Sequence, residues 1–582
     1  MVNYAGKNSL EGFMKNAFIL LLMLAAVSIL ASCEAGDTGN FKIRVRLPID
    51  YYGYCGFGDD HDYCISRDDQ ILLSIYSTTD PTEQPYMYTD RRLFRVRSDK
   101  GGKEEFIRSL KSGNYYRFFV EVTNVNEKLK LTGGIDGVYY EDSKNYEVNI
   151  LLGAVGDFVR VVKDRSRSET TSVKTYFDTY GSSGAGAAAL KNGDLFLSGG
   201  YSYDYDNFMN NTMIIDTKQL TSKEVAKMPS RLRDHAVAFL DDKTEKGKVV
   251  IAFGETDFNS YSNQILMYDP ESNRYRDIGY RDAVTMARAI SINGDVYIVG
   301  GCTTNQPNSK IHRVSYNSDT KTVELNEYAT LKQGRCNHSI ADVSTFDENG
   351  NMKVKILVFG GSTDVKGENP VLNDNFAELV AGNVSNLITI EDRFGADNAE
   401  LLSRGLVFAG ASRVGWDDPA YGPDAAVVAL GGFILDGEGD NAGLINNKNI
   451  IIFSEKNNDT WVYDVNGAPN DCARPSMTRL SSAEKSIAQY AAVNCGSNQF
   501  ARGSSNTTNQ VVFVVQVRKA FDNELERSVL SASVKDSLMD DSRDPENGVI
   551  VDGPAVTNNL GQAFVFGTEY VYQLSGYALP VQ

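Results

Sequence analysis

Val296-Tyr297-Ile298-Val299-Gly300-Gly301 is a short apolar run closed by two glycines, and the chain returns to it. Asp194-Leu195-Phe196-Leu197-Ser198-Gly199-Gly200 is an earlier copy; Ile356-Leu357-Val358-Phe359-Gly360-Gly361 and Val427-Val428-Ala429-Leu430-Gly431-Gly432 are later ones. Val249-Val250-Ile251-Ala252-Phe253-Gly254-Glu255 reads as a further copy, with Glu255 in place of the second glycine. Runs of this length, rich in β-branched and aromatic residues and bounded by turn residues, read as strands. Turn signals such as Ile292-Asn293-Gly294-Asp295 and Asp347-Glu348-Asn349-Gly350 separate them. Paired glycines suit a place where backbone passes too close for a side chain. The pairs return at roughly 50 residues, a period that marks a repeat architecture. One β unit therefore repeats from about residue 180 to 432.

More of the pattern surrounds the glycines. Met228-Pro229-Ser230-Arg231-Leu232-Arg233-Asp234-His235 precedes the second copy, and Arg335-Cys336-Asn337-His338-Ser339 precedes the fourth. Tyr268 follows the second copy, with Tyr275 seven residues on; Tyr316 and Val323 follow the third. Together these resemble the kelch repeat, whose unit is one four-stranded blade of a β-propeller. In that family a Trp stands where this chain has Tyr275 and Val323. The resemblance covers about 180–432 well and 433–582 poorly, with the fifth repeat interrupted around 433–447. It implies a propeller over 156–582, of seven blades or six. Val511–Val517 and Gln562–Gly567 would be further inner strands, and 172–178 would close the last blade as its outer strand.

Seven cysteines stand at 33, 55, 64, 302, 336, 472 and 495. Six remain beyond Cys33, enough for three disulfides with fifteen possible connectivities. Cys55 and Cys64 close a short loop. In a blade of antiparallel strands, the end of the second strand and the start of the next blade's first strand share one face. Cys302 and Cys336 are therefore expected to be bonded, which requires Cα atoms within about 7 Å. Cys472 and Cys495 are left by elimination.

Upstream, Ala17–Ala31 is uncharged and apolar except for Ser28, with Lys15 before it. It is short for a membrane span of roughly 20 residues and fits the apolar centre of a signal peptide. Met14 reads as the start of this signal. Leu30-Ala31-Ser32-Cys33 resembles a bacterial lipobox, which implies cleavage before Cys33, acylation of that cysteine and anchorage in the cell envelope. Glu34 follows Cys33, and in enteric bacteria that favours the outer membrane. Residues 1–33 thus read as signal, 34–40 as tether and 41–155 as an immunoglobulin-like β-sandwich. Strands are expected at 41–47, 70–77, 114–123, 128–132 and 144–152; Lys103–Leu110 is the stretch with a helical period. The fold class is all-β.

With 76 Asp and Glu against 58 Lys and Arg, the net charge is −18, which disfavours nucleic acid and anionic lipid. No cofactor or metal is expected. The acidic loop between Cys55 and Cys64 matches no ligand spacing, and Asp436–Asn441 lacks the glycine and terminal glutamate of a calcium loop. No nucleophile motif, phosphate loop or zinc spacing is present. Kelch propellers include copper oxidases and sialic acid mutarotases, but the four histidines do not assemble a copper site. His235 and His338 occupy repeat positions. The family most often binds partners through loops on one face. Here that face would carry Tyr201, Tyr203, Tyr205 and Phe208, then Phe258 and Tyr261, with Arg231, Arg233 and Arg335 at neighbouring blade starts. Tyrosines offer a flat apolar body with a polar tip, suited to protein and sugar surfaces. Alternatively, these tyrosines pack on each other and the arginines fix the blades together. The expected function is binding of a protein or glycan, with a carbohydrate-modifying enzyme as the alternative; the oligomeric state stays open.

Overall fold

The computed structural model describes residues 38–46, 69–79, 87–95, 103–126, 128–141, 146–153, 158–166, 169–172, 184–202, 206–347, 349–372, 375–388, 404–416, 424–436, 443–447, 449–454, 460–464, 476–479, 488–494, 512–522, 527–537, 554–560, 562–566 and 571–574. Among them the chain is all-β, with no α-helix.

The first eight strands are β1 (Thr38–Arg46), β2 (Gln70–Thr78), β3 (Met87–Arg95), β4 (Lys103–Lys111), β5 (Asn114–Thr123), β6 (Leu129–Tyr140), β7 (Tyr146–Leu151) and β8 (Phe158–Arg160). The first seven of these form a three-stranded sheet, β4-β1-β7, and a four-stranded sheet, β3-β2-β5-β6. Ile43 and Val148 from one sheet, and Ile71, Leu73, Phe118 and Val120 from the other, share one buried core. Lys103–Lys111 is a strand, not a helix: it pairs antiparallel with β1 along its whole length. Phe106, Ile107 and Leu110 carry a helical spacing, but a free edge on β1 offers nine residues of ladder, and tertiary pairing overrides the local period.

Among the described residues, seven four-stranded antiparallel sheets follow, numbered 1 to 7 in chain order. Their first strands are Gly186–Ala189, Ala236–Leu240, Arg288–Ile292, Ser339–Asp342, Gly410–Trp416, Ser476–Arg479 and Ala555–Thr557. Each first strand contacts the next, and the seventh contacts the first, so the cycle closes. Sheet 7 takes its fourth strand from β8, upstream of sheet 1. The closing strand is therefore Phe158–Arg160 and not 172–178; Ser172 instead ends a strand, Glu169–Ser172, paired with Val162–Ser166. Residues 173–178 lie outside the described residues. The stretch Val511–Val517, expected as an inner strand, falls from Val512 onward in Val512–Asp522, the third strand of sheet 6.

The opening run now has a physical explanation. In sheet 3, Val296 and Ile298 pack towards sheet 2, beside Val250 and Ile265. Tyr297 and Val299 pack towards sheet 4, beside Ile356 and Val358. A second strand buried on both faces is apolar throughout rather than alternating. The glycines after it mark the junction to the next sheet. The amide of the second glycine donates to the following sheet's backbone, from Gly200 to Leu232 O (2.8 Å), Gly301 to Arg335 O (3.1 Å) and Gly361 to Leu406 O (2.7 Å). A Cβ on Gly360 would sit 2.2 Å from the carbonyl oxygen of Leu406, so no side chain fits.

The second copy is corrected by one residue. Gly254 (φ +98°) matches the second glycine of other pairs, such as Gly301 (+99°), and donates to Val284 O (3.0 Å). The first position is Phe253, held left-handed at φ +65° like Gly300 at +58°. A bulky residue is uncommon there; its buried ring joins the apolar cluster between sheets 2 and 3. The replaced glycine is thus the first, and Glu255 lies beyond the pair.

The N-terminal sheets dock on one end of this cycle. Asn149 donates from backbone and side chain to Lys218 O (both 2.8 Å), and Gln219 Nε2 to Glu147 O (2.8 Å). Asp136 N donates to Leu560 O (2.9 Å). Lys218 lies between the third and fourth strands of sheet 1, Leu560 between the first and second strands of sheet 7. In antiparallel sheets those turns share one end; connections from second to third strand and from sheet to sheet share the other. The latter end, called the loop face below, points away from the N-terminal sheets.

Candidate functional site

A cavity of about 370 Å³ opens among the starts of the first strands. Its wall is largely glycine and alanine, including Gly186, Ala187, Ala287 and Ala411, with Asp234, His235, Arg288, Asn337 and Ser339 as the polar contributions. Gly184, Asp234, Met286, Asn337 and Phe408 occupy equivalent positions in five sheets, all with φ between +51° and +67°. Backbone bonds join several of them: Asp234 N to Gly184 O (2.8 Å), Met286 N to Asp234 O (3.0 Å) and Phe408 N to Asn337 O (2.9 Å). Two buried atoms at this cavity have no hydrogen-bond partner, Asn337 Oδ1 and His235 Nδ1. The other ring nitrogen of His235 lies 2.9 Å from Ser198 Oγ. Burial pushes the His235 imidazole down to about 4, so it is neutral at pH 7. Among the described residues no group of three His, Cys, Asp or Glu side chains could hold a metal ion.

Beside the cavity mouth, the connections from second to third strand in sheets 1 and 2 are small hairpins. Tyr201–Ser202 pairs with Asn207–Phe208, and Glu255–Asp257 pairs with Ser260–Tyr261. Phe258 sits at the tip of the second, with Asn259 in the left-handed region at φ +65°. The rings of Tyr201, Phe208 and Phe258 form an edge-to-face triad with centroids 5.3–6.0 Å apart. The Arg233 guanidinium lies 5.4 Å from the Tyr201 ring and 5.2 Å from the Phe208 ring. It is held there by Glu255 (2.5 Å) and Asp234 (3.3 Å). Tyr201 and Phe208 are buried, and the Tyr201 hydroxyl donates to Asp206. Phe258 is 55% exposed.

Of the expected binding residues, Tyr201, Phe208, Phe258 and Arg233 come together. Arg231 is exposed and donates to Asn207 Oδ1 (2.6 Å). Tyr261 is half-buried opposite Glu255, and its phenol is raised by burial first and by that carboxylate second. Tyr203 and Tyr205 lie outside the described residues, as do Cys33, Cys55, Cys64, Cys472 and Cys495.

Arg335 is not on an exposed face. It is fully buried and pairs at 2.8 Å with Glu378, also fully buried. It donates as well to the backbone oxygens of Gly360 (2.9 Å), Phe376 (2.8 Å) and Asn375 (2.7 Å). Glu378 accepts from the amides of Lys332 (2.7 Å) and Gln333 (3.0 Å) and from Ser385 Oγ (2.6 Å). Arg335 occupies the position of Leu232, one residue before that of Arg233; the latter is filled by Cys336. Cys336 is disulfide-bonded to Cys302, with Cα atoms 5.1 Å apart.

Two residues that sequence reasoning did not single out belong to the site. Glu255 holds Arg233, and Asn337 presents the unpaired oxygen; the one-residue misalignment at Phe253 concealed the first.

No family model matches the chain, and no curated protein matches its sequence. Among solved structures, the chain is similar to one described as "Structure of YjhT" at 11% identity and a TM-score of 0.34, over 59% of this chain and 94% of that one.

Proposed function

We propose that this is an exported lipoprotein, acylated at Cys33, whose seven sheets are the blades of a kelch-type propeller and whose loop face binds a partner. In this reading the N-terminal sheets are a β-sandwich stalk between the lipid and the propeller. The docking of that stalk on the end opposite the loops supports the orientation. The carrying observation is Phe258: a large apolar side chain left exposed above two buried rings and a guanidinium clamped by two carboxylates. Aromatic anchors on a rigid base are what binding surfaces use.

The test is a binding screen of the full-length protein against a glycan array and against proteins of the same envelope, beside Phe258→Ala. Binding that this variant loses, with unchanged thermal stability, supports the reading. Binding that it retains moves the site elsewhere.

A second reading, a carbohydrate-modifying enzyme, draws on the cavity with Asp234, Arg288 and the unpaired Asn337 oxygen. Turnover of a bound sugar, lost in Asn337→Ala, would favour it.

A further inference from the structure

The closed cycle has a seam, where sheet 7 meets sheet 1. The fourth strand of sheet 7, β8, pairs there at three residues: Tyr572 with Arg160, Gln573 with Val159 and Leu574 with Phe158. Across the seam, buried Asn558 of sheet 7 donates from Nδ2 to Gly193 O (2.9 Å) and to Thr217 Oγ1 (3.3 Å). The Thr217 hydroxyl in turn donates to Gly193 O (2.9 Å). Gly193 and Thr217 lie in two turns of sheet 1, at the end of the cycle opposite the loop face.

The N-terminal sheets straddle this seam. The amide of Asp136, on β6, holds Leu560 of sheet 7, while Asn149 and Glu147, on β7, hold Lys218 and Gln219 of sheet 1. The apolar packing follows the same plan. Phe118 and Ile150 of the N-terminal sheets share one buried cluster with Leu197 and Ile215 of sheet 1 and with Leu560 and Phe564 of sheet 7. Among the described residues, the clusters between sheets 2 and 3 and between sheets 3 and 4 draw on two neighbouring sheets alone. The seat is close-fitting: a Cβ on Gly137 (φ +66°) would lie 3.2 Å from Asn559 O.

The seam is also one side of the cavity. Gly186 and Ala187 of sheet 1 and Pro554 and Ala555 of sheet 7 line it. Gly186–Ala189 and Ala555–Thr557 run from that wall to the turns that the N-terminal sheets hold.

We infer that the N-terminal sheets are a clasp on the propeller seam. Seated, they pin sheet 7 to sheet 1 and fix the seam side of the cavity. Unseated, they release the seam while the junction of sheets 3 and 4, with its disulfide and its buried Arg335–Glu378 pair, stays closed. A core shared by three units opens as one cooperative unit. Whatever lifts the N-terminal sheets therefore loosens the cavity wall. The inference needs neither the lipid nor a partner on the loop face.

The test begins with the folded full-length protein carrying a protease site between Gly153 and Phe158. Cutting there frees the N-terminal sheets to leave and keeps β8 on sheet 7. The cut protein is titrated with urea, following the departure of the N-terminal piece by gel filtration and amide protection by hydrogen exchange. The expected result is that Gly186–Ala189 and Ala555–Thr557 exchange about tenfold faster or more at the urea concentration where the N-terminal piece leaves. Ser339–Asp342 of sheet 4 should keep its protection there. Gly137→Val, which places a branched side chain at a left-handed position against Asn559, should move both events to lower urea together. Departure or unfolding of the N-terminal sheets with seam protection unchanged, in the cut protein or in the variant, overturns the inference and makes those sheets a passenger.

Discussion

The junction between sheets 1 and 2 and the junction between sheets 3 and 4 place equivalent residues side by side. At the first, Tyr201 meets Arg233 through its ring face. At the second, Cys302 meets Cys336 through a covalent bond. The backbone is the same in both: a glycine amide donates to the next sheet, Gly200 to Leu232 and Gly301 to Arg335. The side chains divide two tasks. Cys302 and Cys336 are both buried, and Arg335 beside Cys336 is paired inward with Glu378, so this junction locks two sheets. Around Tyr201 the lock is a guanidinium between rings, and the third ring, Phe258, is turned outward. A repeat can thus vary one position from a covalent crosslink to a cation seated on a ring without altering the scaffold that carries it.

The largest effect is expected where a buried charge loses its partner. Glu378→Ala leaves Arg335 buried and unpaired and should cost about 3–5 kcal/mol, read by denaturant or thermal unfolding. Cys302→Ser with Cys336→Ser opens a crosslink between residues 34 apart and should cost roughly 3–4 kcal/mol under oxidising conditions. The same variant should match the wild-type protein once both are reduced. Arg233→Ala removes a half-buried cation from two rings and two carboxylates, with an expected loss of about 1–3 kcal/mol. Phe258→Ala should stay within about 0.5 kcal/mol of wild type, since a half-exposed ring at a hairpin tip contributes little to the core.

The buried imidazoles make stability depend on pH in a defined window. Burial holds His235 and His312 down to about 4, below the ordinary value of 6.5. The unfolded chain therefore binds protons on these groups that the folded chain refuses. Stability from them is complete above pH 6.5 and is lost as pH falls towards 4. Melting temperature should drop across that interval, and less steeply in His235→Gln; an equal slope in the variant would remove His235 from the explanation.

Much of this architecture was legible because the second strands are buried on both faces. Continuous apolar runs ended by glycine are hard to produce any other way, and they marked the repeated β unit. The N-terminal strands β3 and β4 were harder. Met87–Arg95 has no clear alternation, and Lys103–Lys111 carries a helical spacing that an open strand edge overrules. The closing strand was misplaced because Phe158–Arg160 is three residues long and pairs across the whole length of the cycle. At the site, the tyrosine-rich loop pointed to the right hairpin. The distinction between buried Tyr201 and exposed Phe258 depends on neighbours more than 50 residues away in sequence, which no local pattern encodes. Arg335 misled for a related reason: it resembles Arg233 in the sequence pattern, but falls one position earlier, where other sheets bury Leu232 or Leu406.

The division of tasks between the two junctions is tested most directly by one binding measurement. A peptide or glycan selected on the wild-type protein is titrated against Phe258→Ala and against the Cys302→Ser/Cys336→Ser variant, at a temperature where both are fully folded. The account predicts that Phe258→Ala loses binding while the cysteine variant retains it. Retained binding in Phe258→Ala, with loss in the cysteine variant, would contradict it and move recognition to the crosslinked junction.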